Sequence, residues 1–284
     1  KTSTGGESFQ QLKQVDIGRR FGNATFAVNS RGDIIVLQDD KITVLYSTGE
    51  NKDVMFPDTT ERKVHSCGGE SVAVDSDDSV YAVRQREVCV EENGDRIFVF
   101  ELYTLDENYN IKNVCVLYFL HTVNSFSYVN IAVDKNQNLI MLTPWKDQVY
   151  VCDNTGKLKC QFQRDGVLLP SLSISNNNDI MIVSHDRSAI RTYSTDGDLK
   201  SIITVPDGHK AYEVAFHYGI CKIIVLTYVE KEHSYFFLSY SETGELENSA
   251  FFCKANETVD FEKDIHSHPA GPFIVRWGRM IIFI

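Results

Sequence analysis

The chain has 284 residues and a formal net charge of −11, with 28 Lys and Arg set against 39 Asp and Glu. That sign argues against a non-specific nucleic-acid binder, which needs a concentrated basic surface to displace counterions from phosphate. An apolar fraction of 43%, with 17 Phe and 13 Tyr, suits a globular chain, and the longest apolar run, residues 114–123, is too short to span a bilayer.

Taken in chain order, the first residues form a Thr-Gly-acid turn, Thr4-Gly-Gly-Glu7, followed by a strand at residues 8–15. The apolar strand expected before that turn stands at the far end of the chain, as Met280-Ile-Ile-Phe-Ile284. The same phrase occurs undivided as Lys41-Ile-Thr-Val-Leu-Tyr-Ser-Thr-Gly-Glu50, as Ala189-Ile-Arg-Thr-Tyr-Ser-Thr-Asp-Gly-Asp198 and as Tyr235-Phe-Phe-Leu-Ser-Tyr-Ser-Glu-Thr-Gly-Glu245. Each repeat opens with a short apolar strand ending in Asn, Asp or Ser: Thr25-Phe-Ala-Val-Asn29, Ser71-Val-Ala-Val-Asp75, Asn130-Ile-Ala-Val-Asp134, Ser171-Leu-Ser-Ile-Ser175. A polar tight turn and a second apolar strand such as Ile34-Ile-Val-Leu37 follow. Asn, Asp and Gly tolerate the left-handed backbone that such hairpin turns require. Gly49, Gly156, Gly197 and Gly244 then set the period at roughly 40 to 50 residues, the length of a four-stranded blade. The wide gap between Gly49 and Gly156 holds two repeats, with Asp106-Glu-Asn-Tyr-Asn110 as the turn that lacks glycine.

A repeat divided by the termini predicts a closed ring. The expected fold is all-β: a six-bladed β-propeller spanning residues 1–284 as a single domain. Blade six is formed by residues 258–284 plus 1–15, so the N-terminal strand closes the last blade. Sharing a strand in this way leaves no open edge at either end of the array. Residues 257–266 are the one stretch that reads as a short helix. A start inside a repeat predicts a domain cut from a longer protein.

The runs Gly32-Asp-Ile-Ile-Val-Leu37 with Ile42-Thr-Val-Leu-Tyr-Ser-Thr-Gly-Glu50, and Asp95-Arg-Ile-Phe-Val-Phe100, resemble the NHL-repeat propeller of tripartite-motif (TRIM) proteins. The third strands lack the Trp-Asp ending of the WD40 class. The resemblance implies a recognition module, with any ubiquitin-ligase activity residing in a RING domain outside this chain. Some relatives of that kind bind proteins and others bind single-stranded RNA.

Seven cysteines form no CxxC pair, which predicts reduced thiols and a cytoplasmic protein. No cofactor is expected. His266 and His268 could share one face of a strand, but no third ligand accompanies them, so no metal site is assigned. Asn29, Asp75, Asp134 and Ser175 read as turn formers, and no nucleophile elbow or phosphate loop is present.

In a propeller, the loops from strand two to strand three and from blade to blade share one face, here called the top. The hairpin turns at the bottom are strongly acidic, including Asp33, Asp77, Asp78, Asp106, Asp153, Asp179, Asp196 and Asp198. The top carries the Arg, His and Trp residues. The candidate partner-binding set is Arg19, Arg20 and Phe21, then Trp145 and Lys146. It continues with His185, Arg187, His209 and Lys210, and ends with Trp277 and Arg279. Arg164 and the insertion at residues 85–95 also read as top loops. Trp and Arg dominate binding hot spots, whereas a loop Trp also plugs the gap between blades and scattered Arg and Lys also form plain solvated surface. The expectation is a non-catalytic module, monomeric as an isolated domain, that binds a protein or peptide partner through the top. Single-stranded RNA on the same face is the alternative, and a metal-dependent propeller hydrolase a distant third.

Overall fold

The computed structural model describes residues 11–15, 25–38, 41–57, 71–90, 96–123, 129–143, 146–164, 171–254, 265–266, 273–276 and 279–283. The first strand, β1 (Gln11–Val15), belongs with the end of the chain. Blade one is β2 (Thr25–Val28), β3 (Ile34–Leu37), β4 (Lys41–Leu45) and β5 (Asn51–Met55). Blade two is β6 (Ser71–Val74), β7 (Val80–Val90), β8 (Arg96–Leu105) and β9 (Ile111–Val123). Blade three is β10 (Asn130–Val133), β11 (Leu139–Leu142), β12 (Gln148–Cys152) and β13 (Leu158–Gln163). Blade four is β14 (Leu172–Ile174), β15 (Ile180–Val183), β16 (Ala189–Tyr193) and β17 (Leu199–Thr204). Blade five is β18 (His209–His217), β19 (Lys222–Val229), β20 (Ser234–Ser241) and β21 (Leu246–Lys254). Each is an antiparallel meander in chain order.

The pattern of burial follows from this layering. Second strands such as β3, β11 and β15 are buried along their whole length, because both of their faces meet neighbouring blades. The outer strands β5 and β13 alternate exposed and half-buried residues, since only one face is covered. One apolar cluster fills each gap between successive blades: Ile35, Ile42 and Tyr103 between one and two, then Leu102, Leu117 and Tyr150 between two and three. Val151, Ile180 and Tyr193 lie between three and four, and Met181, Ile203 and Phe216 between four and five. Cys152 lies within this core, and burial pushes its thiol up to about 12, so it stays protonated and packs as a small hydrophobe.

The glycines that set the period are packing devices as well as turn formers. Gly156, Gly197 and Gly244 have φ of +86°, +97° and +87°. A Cβ on each would lie 2.4 Å from Cys115 Sγ, 2.5 Å from the Phe162 ring and 2.9 Å from Ile203, all on the preceding blade. In blades three, four and five the second bottom turn is thus pressed against its neighbour, and a side chain at these glycines would clash.

Five blades are described with their side chains, one fewer than expected. A sixth four-stranded sheet joins the chain ends, pairing β1 with β24 (Arg279–Phe283), then β23 (Phe273–Arg276) and β22 (Ile265–His266). Gln14 faces Ile281 and Val15 faces Met280 in antiparallel register. For this sheet only backbone pairing is described, and the joining stretches 255–264, 267–272 and 277–278 lie outside the described residues.

Three local expectations change. The stretch 257–266 lies outside the described residues except for Ile265 and His266, which pair as a strand and not a helix. Residues 85–90 are not loop. They continue β7 in register with β8, because Arg86 finds the Glu101 carboxylate at 2.8 Å and the polar stretch can pair as a hairpin. Arg164 is buried, its Nη2 donating to the Thr143 carbonyl at 3.1 Å, so it locks blade three and does not face a partner.

Candidate recognition surface

The bottom face is built from one repeated device. In the turns beginning at Asn29, Asp75, Asp134 and Ser175, the first side chain accepts N–H bonds from the residues two and four positions on, at 2.7 to 3.1 Å. The fourth position is left-handed: Gly32 at +77°, Asp78 at +62°, Gln137 at +59° and Asn178 at +61°. This is a three-residue hairpin loop closed by a side-chain cap. Asp106, Asp153 and Ser194 repeat it in the second bottom turns.

Adjacent turns are then tied together. Tyr109 donates to Asp33 at 2.7 Å and receives Asn29 Nδ2 at 2.8 Å and Arg31 at 3.1 Å, joining blades one and two. Burial pushes the Asp33 carboxyl up, but bonds from Tyr109, Ser47, Asn29 and Arg31 outweigh it and hold the group below its ordinary range. Ser30 donates twice to Asp78, Gln137 to Asp77, the Lys135 backbone N–H to Asn178, and Tyr218 to the Ile174 carbonyl. Much of the acidic character of this face is occupied by turn and inter-blade bonding.

The top is built differently. Blade four turns through 184–188 at its upper end, and the Arg187 carbonyl accepts the Ala211 N–H at 2.8 Å, fastening it to blade five. Arg187 has φ +62°, an uncommon conformation for a non-glycine residue. Its guanidinium lies 4.1 Å from the centroid of the Tyr212 ring. Such a contact contributes roughly 0.5–2 kcal/mol. Tyr212 sits at a β-bulge in β18, where the register against β19 slips between Ala211 and Glu213. Bulges re-aim side chains, and here the ring meets Tyr228 at 6.2 Å and Tyr235 at 6.1 Å, both nearly edge-on. Tyr228 and Tyr235 are direct cross-strand partners with centroids 4.9 Å apart. All three rings are half-buried.

A second left-handed residue closes the far side of this corner. His233, φ +46°, ends a 3-10 turn at Glu230–Glu232, and its Nδ1 lies 3.1 Å from the Tyr228 hydroxyl. Asp186 holds the 184–188 turn through the hydroxyls of Ser184 and Ser188, both at 2.7 Å, and these bonds bring its carboxyl down to about 2.

The structure sorts the expected partner-binding residues. His185 and Lys210 are exposed, and Arg187, His209 and Lys210 converge where blades four and five meet. His209 hydrogen-bonds Thr227 at 2.8 Å, and burial lowers its pKa. Lys210 pairs with Glu230 at 3.2 Å on the surface. Lys146 leans back across the gap between blades, donating to the Phe119 carbonyl and lying over Tyr150, a packing role. Arg19, Arg20, Phe21, Trp145 and Trp277 lie outside the described residues, and of Arg279 only its pairing in β24 is described. Tyr212, Tyr228 and Tyr235 were not anticipated. Their sequence signal is two tyrosines placed symmetrically about the Glu230–Glu232 turn.

No known sequence family and no curated protein sequence matches the chain. Solved structures do. Virginiamycin B lyase from Staphylococcus aureus superposes with a TM-score of 0.58 at 14% identity, covering 94% of this chain and 82% of its own. A streptogramin B lyase gives 0.57 at 14% identity, covering 90% and 76%. The WD40 domain of Neurospora crassa Pan2 gives 0.55 at 11% identity, covering 90% and 72%. At these identities the likeness shows the β-propeller fold and nothing finer.

Proposed function

We propose that this β-propeller is a non-catalytic recognition module that binds a protein or peptide partner through its top face. The observation that carries the reading is the corner between blades four and five. Arg187 and His233 flank three packed tyrosines, Tyr212 edge-on to both Tyr228 and Tyr235, whose own rings are tilted. Left-handed residues such as Asp78, Gln137 and Asn178 also close the bottom turns, so what sets this corner apart is its cluster of Arg187 with three half-buried tyrosines. Arg and Tyr are also the side chains that anchor protein interfaces.

On the same reading residues 1–284 form one domain of NHL type, a TRIM-like recognition domain with any RING lying elsewhere in its parent protein. The terminal sheet closes the ring as a sixth blade. The domain is monomeric, acts in the cytoplasm and needs no cofactor. Support for a non-catalytic role comes from the inner-strand ends, where Asn29, Asp75, Asp134 and Ser175 serve their own turns. No helix among the described residues is long and apolar enough to cross a membrane.

Selection from a random peptide library tests this directly. Enriched peptides should lose binding to a Tyr212→Ala, Arg187→Glu double variant and keep it with Asp77→Lys on the bottom. Peptides insensitive to the top variant would remove the reading. Tight, salt-steep binding of random RNA pools would transfer the face to nucleic acid. Stoichiometric zinc or calcium in an elemental analysis would favour an enzyme.

A further inference from the structure

A second feature of the top face lies between blades one and two and was not singled out by the sequence. Val83 pairs with Ser71, the first residue of the inner strand, so Arg84 is the first residue of β7 to rise above it. Arg84, Arg86 and Glu101 lie on the side of blade two that faces blade one, above the buried Tyr103. The Glu101 carboxylate is 2% exposed and both of its oxygens are engaged, one by Arg86 Nε at 2.8 Å and one by the Tyr103 hydroxyl at 2.8 Å.

Arg84 is left over. It is 8% exposed, its Nε is buried without a hydrogen-bond partner, and among the described residues its guanidinium makes no ion pair. What it does have is a stacking surface: its guanidinium carbon lies 4.9 Å from the centroid of the Phe56 ring, which itself packs 4.3 Å from Tyr103. Arg84 faces Glu101 across the strand pair, but that carboxylate is taken by Arg86 and Tyr103. A buried charge without a counter-ion is among the least favourable arrangements in a protein interior. Arginine's planar fork of donors can grip a carboxylate bidentately while its carbon packs near an aromatic ring.

We propose that Arg84 is the anchor of a carboxylate-binding site at the top of the gap between blades one and two. Its ligand is the side-chain or terminal carboxylate of a peptide partner. One unmatched positive charge suits a singly charged carboxylate better than a dianionic phosphate. The identity of the ligand as a peptide rests on the recognition role proposed above; the anion site itself does not. Because the chain is acidic overall, this site draws its ligand by local hydrogen bonding and not by long-range attraction.

The test uses acetate as the probe, titrated at fixed ionic strength into the full chain carrying 15N-labelled arginine, with the Nε–H resonances followed by NMR. One resonance, absent from Arg84→Met, should move saturably. Arg84→Met should unfold at the same or a higher temperature, since it removes an unmatched buried charge. Phe56→Leu, which keeps apolar packing but loses the ring face, should weaken the midpoint severalfold. A shift that grows without saturation, a shift that survives Arg84→Met, or an Arg84→Met protein that melts several degrees lower would each overturn the site. Saturation by inorganic phosphate but not acetate would overturn the carboxylate assignment. If acetate saturates Arg84 while no library peptide binds, the anion site stands and the peptide-recognition reading falls.

Discussion

At the bottom of the propeller Asp75, Asp106, Asp134 and Asp153 each hold two N–H groups of their own turns, and neighbouring turns are bolted together by Tyr109, Ser30 and Gln137. Among the described residues of the top no such common device recurs. The corner between blades four and five packs Arg187 over Tyr212, and the gap between blades one and two leaves the Arg84 Nε without a hydrogen-bond partner. Where polar groups satisfy one another repeatedly, they stabilise the ring. Where aromatic and guanidinium groups gather with no such repeated bonding, a partner is the natural account.

The strongest way to break this contrast is at a bottom glycine. Gly197→Ala must place a Cβ 2.5 Å from Phe162 at φ +97°. It should cost about 2–4 kcal/mol in denaturant unfolding, through overpacking and backbone strain together. Gly49→Ala shares the left-handed backbone, at φ +95°, but meets nothing within 4 Å, so its loss should be about 1 kcal/mol. Equal losses at the two sites would mean that blade-to-blade packing of these turns has been misread.

Next in size is Tyr109→Phe, which takes one donor from the buried Asp33 and should cost about 1–3 kcal/mol. On the top the sign of the argument reverses. Arg187→Gly relieves the left-handed strain and gives up the contact with Tyr212, so unfolding should change by less than about 1 kcal/mol while peptide binding is lost. A loss as large as that of Tyr109→Phe would make Arg187 a structural bolt like those below.

The smallest effect is a titration. The Asp186 carboxyl is lowered to about 2 from an ordinary 3.8 by the Ser184 and Ser188 bonds. A depressed carboxyl stabilises above its unfolded value, so the 184–188 turn should be firm above pH about 4 and loosen as the pH falls toward 2. An NMR midpoint for Asp186 near 3.8 would show that these bonds do not hold the turn.

Much of this fold is legible in the residues because its signals are local. Alternating apolar strands, Asn or Asp at the strand end and glycine at the left-handed position each act within a few residues, and they place the first bottom turn of four blades and the second of five. Asp106-Glu-Asn-Tyr-Asn110 was identified as a turn although its left-handed residue is Tyr109, because Asp106 supplies the cap. What was missed depends on register and burial. The polar run after Val83 looks like a loop until Arg86 finds Glu101 across the strand pair. Arg164 looks like surface until its guanidinium reaches Thr143. The tyrosine corner needs the bulge beside Tyr212, which no spacing rule announces.

Amide hydrogen exchange, with and without a peptide selected from the library, tests the central claim most directly. The account predicts slowing confined to the top segments at 184–188, 205–212 and 228–235, with the bottom turns unchanged. Slowing centred on the bottom turns at 29–33, 75–79 and 134–138 would contradict it.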